Sequence, residues 1–300
     1  MRRSLKEIVS ALLPSSLKRA LQQIKRSQRR NRLYKKRENN QVIKKESLIN
    51  DLKAIGARED DSIIVHSSLS KIGYVDGGAA TAIDVLRNVI GKGGTLILPS
   101  FPGNTFSKDY LEATPSFDIR NTPSRMGIIT EYFRKMDGVI RSFHPTDPVC
   151  AIGPFAEYFT QGHFGQITPY NKNSPFYRLC EKGGKILMIG VPLATCTNLH
   201  LMEDEIENFK FPVYDEKIFE VKMIDEQGKT HLMKTKVHNP EYSKKRRCDD
   251  LIPMFQKEGI LIKGKIGEAD AMFIDAKGML DVMMEQYYKN GVTMYTPYGS

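Results

Sequence analysis

Three short runs constrain this chain more than any bulk property: 62–69 (SIIVHSSL), 95–101 (TLILPSF) and 185–191 (KILMIGV). Each is a continuous aliphatic stretch that ends in Ser, Pro or Gly. A run that is apolar on both alternating faces reads as a strand covered on both sides. Between the first two, Gly77-Gly78 open a segment through about Ile90. Its Ala82, Val85, Leu86 and Val89 fall on one helical face, and Gly91, Gly93 and Gly94 close it. Strand, helix and strand within residues 62–101 predict parallel strands joined by a crossover helix.

The same reading extends along the chain. Helices are expected at 47–55 and 125–136, a short strand at 148–152, a helical turn at 155–160, and an acid-rich helix at 198–208. Residues 217–237 alternate apolar and polar side chains around Asp225-Glu226-Gln227-Gly228, which predicts a β-hairpin. The C-terminal part returns to helix, strand and helix. No repeat and no Pro/Gly/Ser linker divides the body. The expected fold over 46–300 is one three-layer α/β/α domain. It has a central, mostly parallel or mixed sheet and a β-hairpin excursion.

Charge separates an arm from this body. Residues 1–45 hold 15 Lys or Arg against 2 Glu, or +13, while the rest holds 30 basic and 33 acidic residues, or −3. Leu5, Ile8, Val9, Leu12 and Leu13 share one helix face; Pro14 ends that run, and Leu17, Leu21 and Ile24 form a second stripe. A basic amphipathic arm suits an anionic membrane surface. A solvated tail with no partner fits the same residues. Nucleic acid fits less well, because no aromatic interleaving accompanies the charge. No run approaches the 18 apolar residues of a membrane span, and no secretory leader is evident. Cys150, Cys180, Cys196 and Cys248 are scattered with no CxxC pair, which suits a reducing, cytoplasmic setting and no structural zinc. Oligomerisation is left open.

Three constellations could carry chemistry. The first is His66-Ser67-Ser68, at the carboxyl end of a buried strand, where open α/β sheets gather ligands. Its hydroxyls, with the Gly77-Gly78 helix start, could bind a phosphate or polarise a carbonyl; an ordinary strand-to-loop turn would look the same. The second is Arg141-Ser142-Phe143-His144-Pro145, either an anion site or a plain loop. The third is Thr197-Asn198-Leu199-His200-Leu201-Met202-Glu203. On a helix His200 and Glu203 share a face, so the carboxylate can orient the imidazole as a general base, with Thr197 one turn earlier. A surface His beside an acid is the bland alternative. Cys196, four residues before His200, opens a rival covalent thiol route. His163 could join a site or sit in a loop, and His231 and His238 look incidental. No HExxH or comparable cluster points to a metal.

Taken in order, these segments resemble the aminoglycoside 3-N-acetyltransferase family, which has the antibiotic N-acetyltransferase fold. The resemblance is carried by VHSSLSKIGYVDGGAATAIDVLRNVIGKGGTLILPSF, TPSRMGIITEYFRKMDGVIRSFHPTDPVCAIGP, NSPFYRLCEKGGKILMIGV and TCTNLHLMEDE, across most of 47–275. It implies direct transfer of an acyl group from acetyl-CoA, or another acyl-CoA, to a sugar amine, without a metal. It makes His200 the base and Glu203 its assistant. It assigns Ser67, Ser68, Arg141, Ser142 and His144 to the coenzyme side, and Thr197 is taken for the acceptor. Two departures stand out. Thr146-Asp147-Pro148 follows the His-Pro pair where the family commonly has a Ser, and the basic arm lies outside the family pattern. The implied acceptor is an amino sugar of a surface glycan or, alternatively, an aminoglycoside antibiotic. A membrane or nucleic-acid-binding protein with an inactive acyltransferase fold is the remaining reading.

Overall fold

The three apolar runs form neighbouring strands of one sheet. The computed structural model describes residues 17, 24, 27, 28, 31, 34–39 and 41–299. Strands are numbered in chain order. The main sheet has the order β11 (Leu261–Ile266), β12 (Ala269–Asp275), β8 (Lys185–Ile189), β2 (Ser62–Ser67), β4 (Thr95–Pro99), β7 (Val149–Ile152) and β6 (Ile140–Arg141). The centre is parallel: β2 pairs with both β4 and β8 in that sense. β7, β6, β12 and β11 are added antiparallel. The sheet is therefore mixed, as one of the two expected forms.

Alternation along the central strands explains the layers. Ile63 and Val65 pack with Leu96, Leu98, Leu187 and Ile189 on one face. Ile64 packs with Ile97, Ile186 and Met188 on the other. Ile63, Ile64 and Val65 are each 1% exposed, and burying such a side chain contributes about 1.5–3 kcal/mol. The first face is covered by α1 (Lys45–Ala54), α2 (Gly78–Ile90) and α3 (Ile128–Phe133). The second is covered by α4 (Pro175–Glu181), α5 (Leu201–Glu205) and α6 (Ala276–Asn290). α2 is the crossover between β2 and β4.

The hairpin forms as expected from β9 (Phe219–Ile224) and β10 (Thr230–Thr235). It recruits a third strand that the sequence concealed, β5 (Ser116–Asp118), parallel to β9. Phe117, Val221, Met223 and Met233 bury beneath it. Where one C-terminal strand was expected there are two, β11 and β12, turning at Gly267 with φ +57. β11 is an edge strand whose Ile262, Lys263 and Lys265 are exposed, so its apolar signal is weak. The expected 125–136 helix shrinks to α3, because Gly127 has φ +106 and starts it late. The expected 198–208 helix becomes a 3-10 turn, Thr197–His200, followed by α5.

Part of the stretch read as the arm joins the body. β1 (Val42–Ile43) pairs in parallel with β3 (Tyr74–Val75), and Lys36 is ion-paired with Glu268 in the β11–β12 turn. The amphipathic pattern of 5–13 lies outside the described residues, as does that of 17–24 except for Leu17 and Ile24, both exposed. No helix among the described residues is long and apolar enough to cross a membrane.

Candidate active site

β2, β4 and β8 run parallel and so share one carboxyl edge, and two cavities lie there. The first, of about 740 Å³, takes Ser67, Ser68 and Ser70 from the end of β2 and Gly77-Gly78 from the start of α2. Both glycines have positive φ, +71 and +60, and a Cβ on Gly77 would lie 2.3 Å from Thr81 Oγ1. No side chain caps α2, so its first amides face the cavity region unspent, at the positive end of a 13-residue helix. Two further lining residues come from outside the body: Tyr34 and Arg37.

The second cavity, of about 330 Å³, is walled by Phe101 after β4 and by Ala194, Thr195, Cys196, Thr197 and His200 after β8. The chain reaches this wall by turning at Gly190, with φ +66; a Cβ there would lie 2.5 Å from Lys71 Cβ. The 3-10 turn and α5 then set His200 and Glu203 on one face, as the spacing predicted. His200 Nδ1 donates to Glu203 Oε2 at 2.8 Å. That fixes the tautomer and leaves Nε2 with its lone pair.

Glu203 is the hub of a network wider than the expected dyad. Its Oε2 also accepts from His238 Nε2 at 2.7 Å, and its Oε1 accepts from the Tyr295 hydroxyl at 2.6 Å. Burial pushes the Glu203 carboxyl up, but the two imidazoles and their hydrogen bonds outweigh it and hold it below the usual carboxylate range. A buried carboxylate that accepts three hydrogen bonds stays ionised. His200 is 7% exposed, and burial lowers its pKa to about 3, against the attraction of Glu203. The imidazole is therefore neutral and able to accept a proton. Tyr170 stacks on His200 at 4.9 Å and on His238 at 5.3 Å. His200, Glu203 and His238 also offer three donor atoms within 4.8 Å of one another, a spacing a cation could use. In this structure both imidazoles are hydrogen-bonded to Glu203 Oε2.

The remaining expected residues divide. Thr197 lines the second cavity, and Ser67 and Ser68 line the first. Arg141, Ser142 and His144 line neither and lie in the interior. Arg141 spends its guanidinium on the carbonyls of Ile119, Thr122 and Ser100. The Ser142 hydroxyl accepts from Val149 N–H and meets His163 Nδ1 at 3.1 Å. His144 stacks on His163 at 4.3 Å, and its Nδ1 accepts from Asp147 N–H at 3.1 Å. This loop buttresses the wall that presents Asp147. His163 is thus a buried packing residue, and His238, read as incidental, belongs to the site. Cys196 is 2% exposed, and burial pushes its thiol up to about 12, so it is not a thiolate.

Asp147, Tyr170, Arg246 and Tyr295 were missed. The Asp147 departure from the family pattern was the one available signal; the Tyr170 hydroxyl donates to its Oδ1 at 2.9 Å.

Comparison with known proteins agrees with this architecture. The family described as aminoglycoside 3-N-acetyltransferase matches residues 64–287. The chain is 32% identical over 186 residues to aminoglycoside N(3)-acetyltransferase VIII of Streptomyces fradiae, covering 57% of this chain and 65% of that one. It is 28% identical over 253 residues to aminoglycoside N(3)-acetyltransferase IX of Micromonospora chalcea, covering 75% and 86%. The match spans less than two thirds of several curated relatives, 65%, 63% and 58% of their lengths. Among solved structures, AAC-IIIb in binary complex with CoASH superimposes with a TM-score of 0.69 at 27% identity, covering 82% of this chain and 97% of that one. The YokD protein from Bacillus subtilis gives 0.66 at 28% identity, covering 82% and 94%.

Proposed function

Because the chain belongs to the aminoglycoside 3-N-acetyltransferase family, we propose that it transfers an acyl group from acyl-CoA to the amine of an amino sugar. The observation that carries the reading is the His200–Glu203 pair, bonded at 2.8 Å through Nδ1 with the ring lining a cavity. The acceptor amine occupies that cavity, and His200 Nε2 takes its proton as nitrogen attacks the thioester carbonyl. Ionised Glu203 stabilises the imidazolium that forms. The carbon–sulfur bond then breaks, and the proton passes from His200 to the leaving thiolate. Glu203 is held for this task by His238 and Tyr295.

The coenzyme belongs in the larger cavity. Ser67, Ser68 and the open amides of α2 suit its phosphates and carbonyls. A relative of known structure holds CoASH, which supports the donor. The decisive measurement is thiol release from acetyl-CoA by the purified full chain, with and without amino-sugar acceptors. Release that is no faster with any amine would remove the reading.

The thiol route is separable. Cys196→Ser is expected to retain activity within about threefold, because a buried, protonated thiol is a poor nucleophile. An acyl-enzyme caught by mass spectrometry in the native chain, and lost with most activity in Cys196→Ser, would reverse that expectation.

The arm also enters the proposal. Among the described residues Arg37 is the only cation lining the larger cavity, and the helical turn carrying it is tied down by the Lys36–Glu268 pair and the β1–β3 pairing. Arg37 therefore contributes to holding coenzyme phosphates. Arg37→Ala is expected to weaken CoA about tenfold more than it weakens pantetheine, as read by calorimetry; a charge-assisted hydrogen bond is worth about that much. Equal losses for both ligands would reject it.

The two acceptors implied by the sequence, a surface-glycan amino sugar and an aminoglycoside antibiotic, share this chemistry. They differ in charge.

A further inference from the structure

The cavity beside His200 offers a polycation no excess of carboxylate. Among the described residues its lining contains one carboxylate, Asp147, and one guanidinium, Arg246. Asp147 is further weakened as a cation site. Burial raises its pKa, against the hydrogen bonds of Thr146 and Tyr170, and its Oδ1 is taken by the Tyr170 hydroxyl at 2.9 Å. Glu203 is spent on His200, His238 and Tyr295. Asp204 accepts from the Tyr214 hydroxyl at 2.6 Å and from Tyr170 N–H. Glu203 and Asp204 are thus internal struts.

The positive side is only partly spent: Lys244 is ion-paired with Glu241 and Arg247 with Asp250, and the Arg246 side chain also meets the Tyr295 hydroxyl. Arg246 gives one Nη to Ser243 Oγ at 2.9 Å, while its buried Nε has no hydrogen-bond partner among the described residues. It stands within the run Lys244-Lys245-Arg246-Arg247. Lys244 lies over the ring of Phe106, itself a wall of the cavity, at 5.9 Å. A guanidinium with an unspent donor beside hydroxyls is a seat for an oxyanion.

We propose that the acceptor is an amino sugar carrying an anionic substituent, a phosphate or a carboxylate, which Arg246 binds while the amine meets His200. Polycationic aminoglycosides are poor acceptors for this chain. The proposal rests on the acyl-transfer reading and names the substrate class of the same site. A polycation entering this cavity meets Arg246 with one carboxylate in exchange, Asp147, and that one already accepts from the Tyr170 hydroxyl. An anionic amino sugar, in contrast, pairs its negative group with Arg246 and presents a single amine. Specificity here is a difference between two charge environments.

The test uses the full chain, acetyl-CoA and four acceptors: glucosamine, glucosamine 1-phosphate, its 6-carboxylate analogue (the amino uronic acid) and sisomicin. The expected result is that kcat/KM for one of the two anionic sugars exceeds that for sisomicin at least tenfold, and which of the two leads identifies the anion. Arg246→Ala should lower the preference for that sugar over glucosamine about 10- to 100-fold, mainly through KM, as expected for losing a charge-assisted bond, and Arg246→Lys should restore part of it. Faster transfer to sisomicin overturns the proposal and leaves the acyl-transfer reading standing. An Arg246→Ala effect that is equal for all acceptors, or that falls on the KM for acetyl-CoA, overturns it as well. Thiol release with none of the four overturns both.

Discussion

His200→Ala is expected to lower kcat for acyl transfer by about 10²- to 10⁴-fold, the usual contribution of a positioned general base, while calorimetric binding of acetyl-CoA stays within a few-fold. The prediction follows from one hydrogen bond. His200 Nδ1 is committed to Glu203 Oε2, so the only ring nitrogen that can accept a proton is Nε2. Glu203→Gln is expected to cost a comparable factor, because the imidazolium then loses its buried countercharge. The double variant should lose little more than either single one, since residues acting as a unit are not additive. The pH profile supplies an independent reading. Burial lowers the His200 pKa to about 3, so its basic form persists as pH falls well below 6.5. The kcat/KM profile should then show no His200 inflection near 6.5 and should rise with deprotonation of the acceptor amine. A His200→Ala chain that retains a tenth or more of the native kcat would exclude this residue as the base.

Legibility in the sequence followed burial and locality. β2, β4 and β8 are covered on both faces, so their apolar runs could be read directly, and α2 sat between visible glycine stops. β5 and β11 were missed for the converse reason: β5 is three residues long, and β11 carries exposed lysines on an edge. At the site, His200 and Glu203 are three apart, so helical geometry alone brought them together. His238, Arg246 and Tyr295 reach the same cluster through tertiary packing from 35 to 92 residues beyond Glu203, and no local spacing encodes that. Arg141, Ser142 and His144 show the opposite error. The pattern looks chemical, but it lies in the interior, where Arg141 Nη atoms hold backbone carbonyls and Ser142 meets His163, while Arg141 Nε and His144 Nε2 have no hydrogen-bond partner among the described residues. A count of acids predicts an acidic cleft only if the acids face it, and here Glu203 and Asp204 face inward.

Acid should unfold this protein from unusually near neutral pH, because several imidazoles are buried without a countercharge. Burial lowers His66 to about 4 and His163 to about 3, lowers His200 to about 3 despite Glu203, and takes His144 well below the ordinary value with His163 adding to the effect. In the unfolded chain all four bind protons near pH 6.5. Their folded pKa values are depressed, so the stability they allow is present above 6.5 and is lost progressively as pH falls towards 3 or 4. Below 6.5 each histidine that the native state keeps neutral removes about 1.4 kcal/mol per pH unit. Asp147 and Asp204 act in the opposite sense, since burial raises both and the native state then binds protons before the unfolded chain does. That offset begins only where carboxylates titrate and does not protect the interval from pH 6.5 to 5. Against a typical total of about 5–15 kcal/mol, a loss approaching about 8 kcal/mol across this interval, with all four imidazoles kept neutral in the native state, is large. Urea titrations at pH 7, 6 and 5 should show the midpoint falling at each step with little change in the denaturant slope. His163→Asn, if it folds, should flatten the fall by about one histidine's share, because His163 sits 4.3 Å from His144 and makes that ring harder still to charge. A midpoint unchanged between pH 7 and 5 would mean that these imidazoles find protons or water in the native state, and the buried site described above would then be more open than its geometry implies.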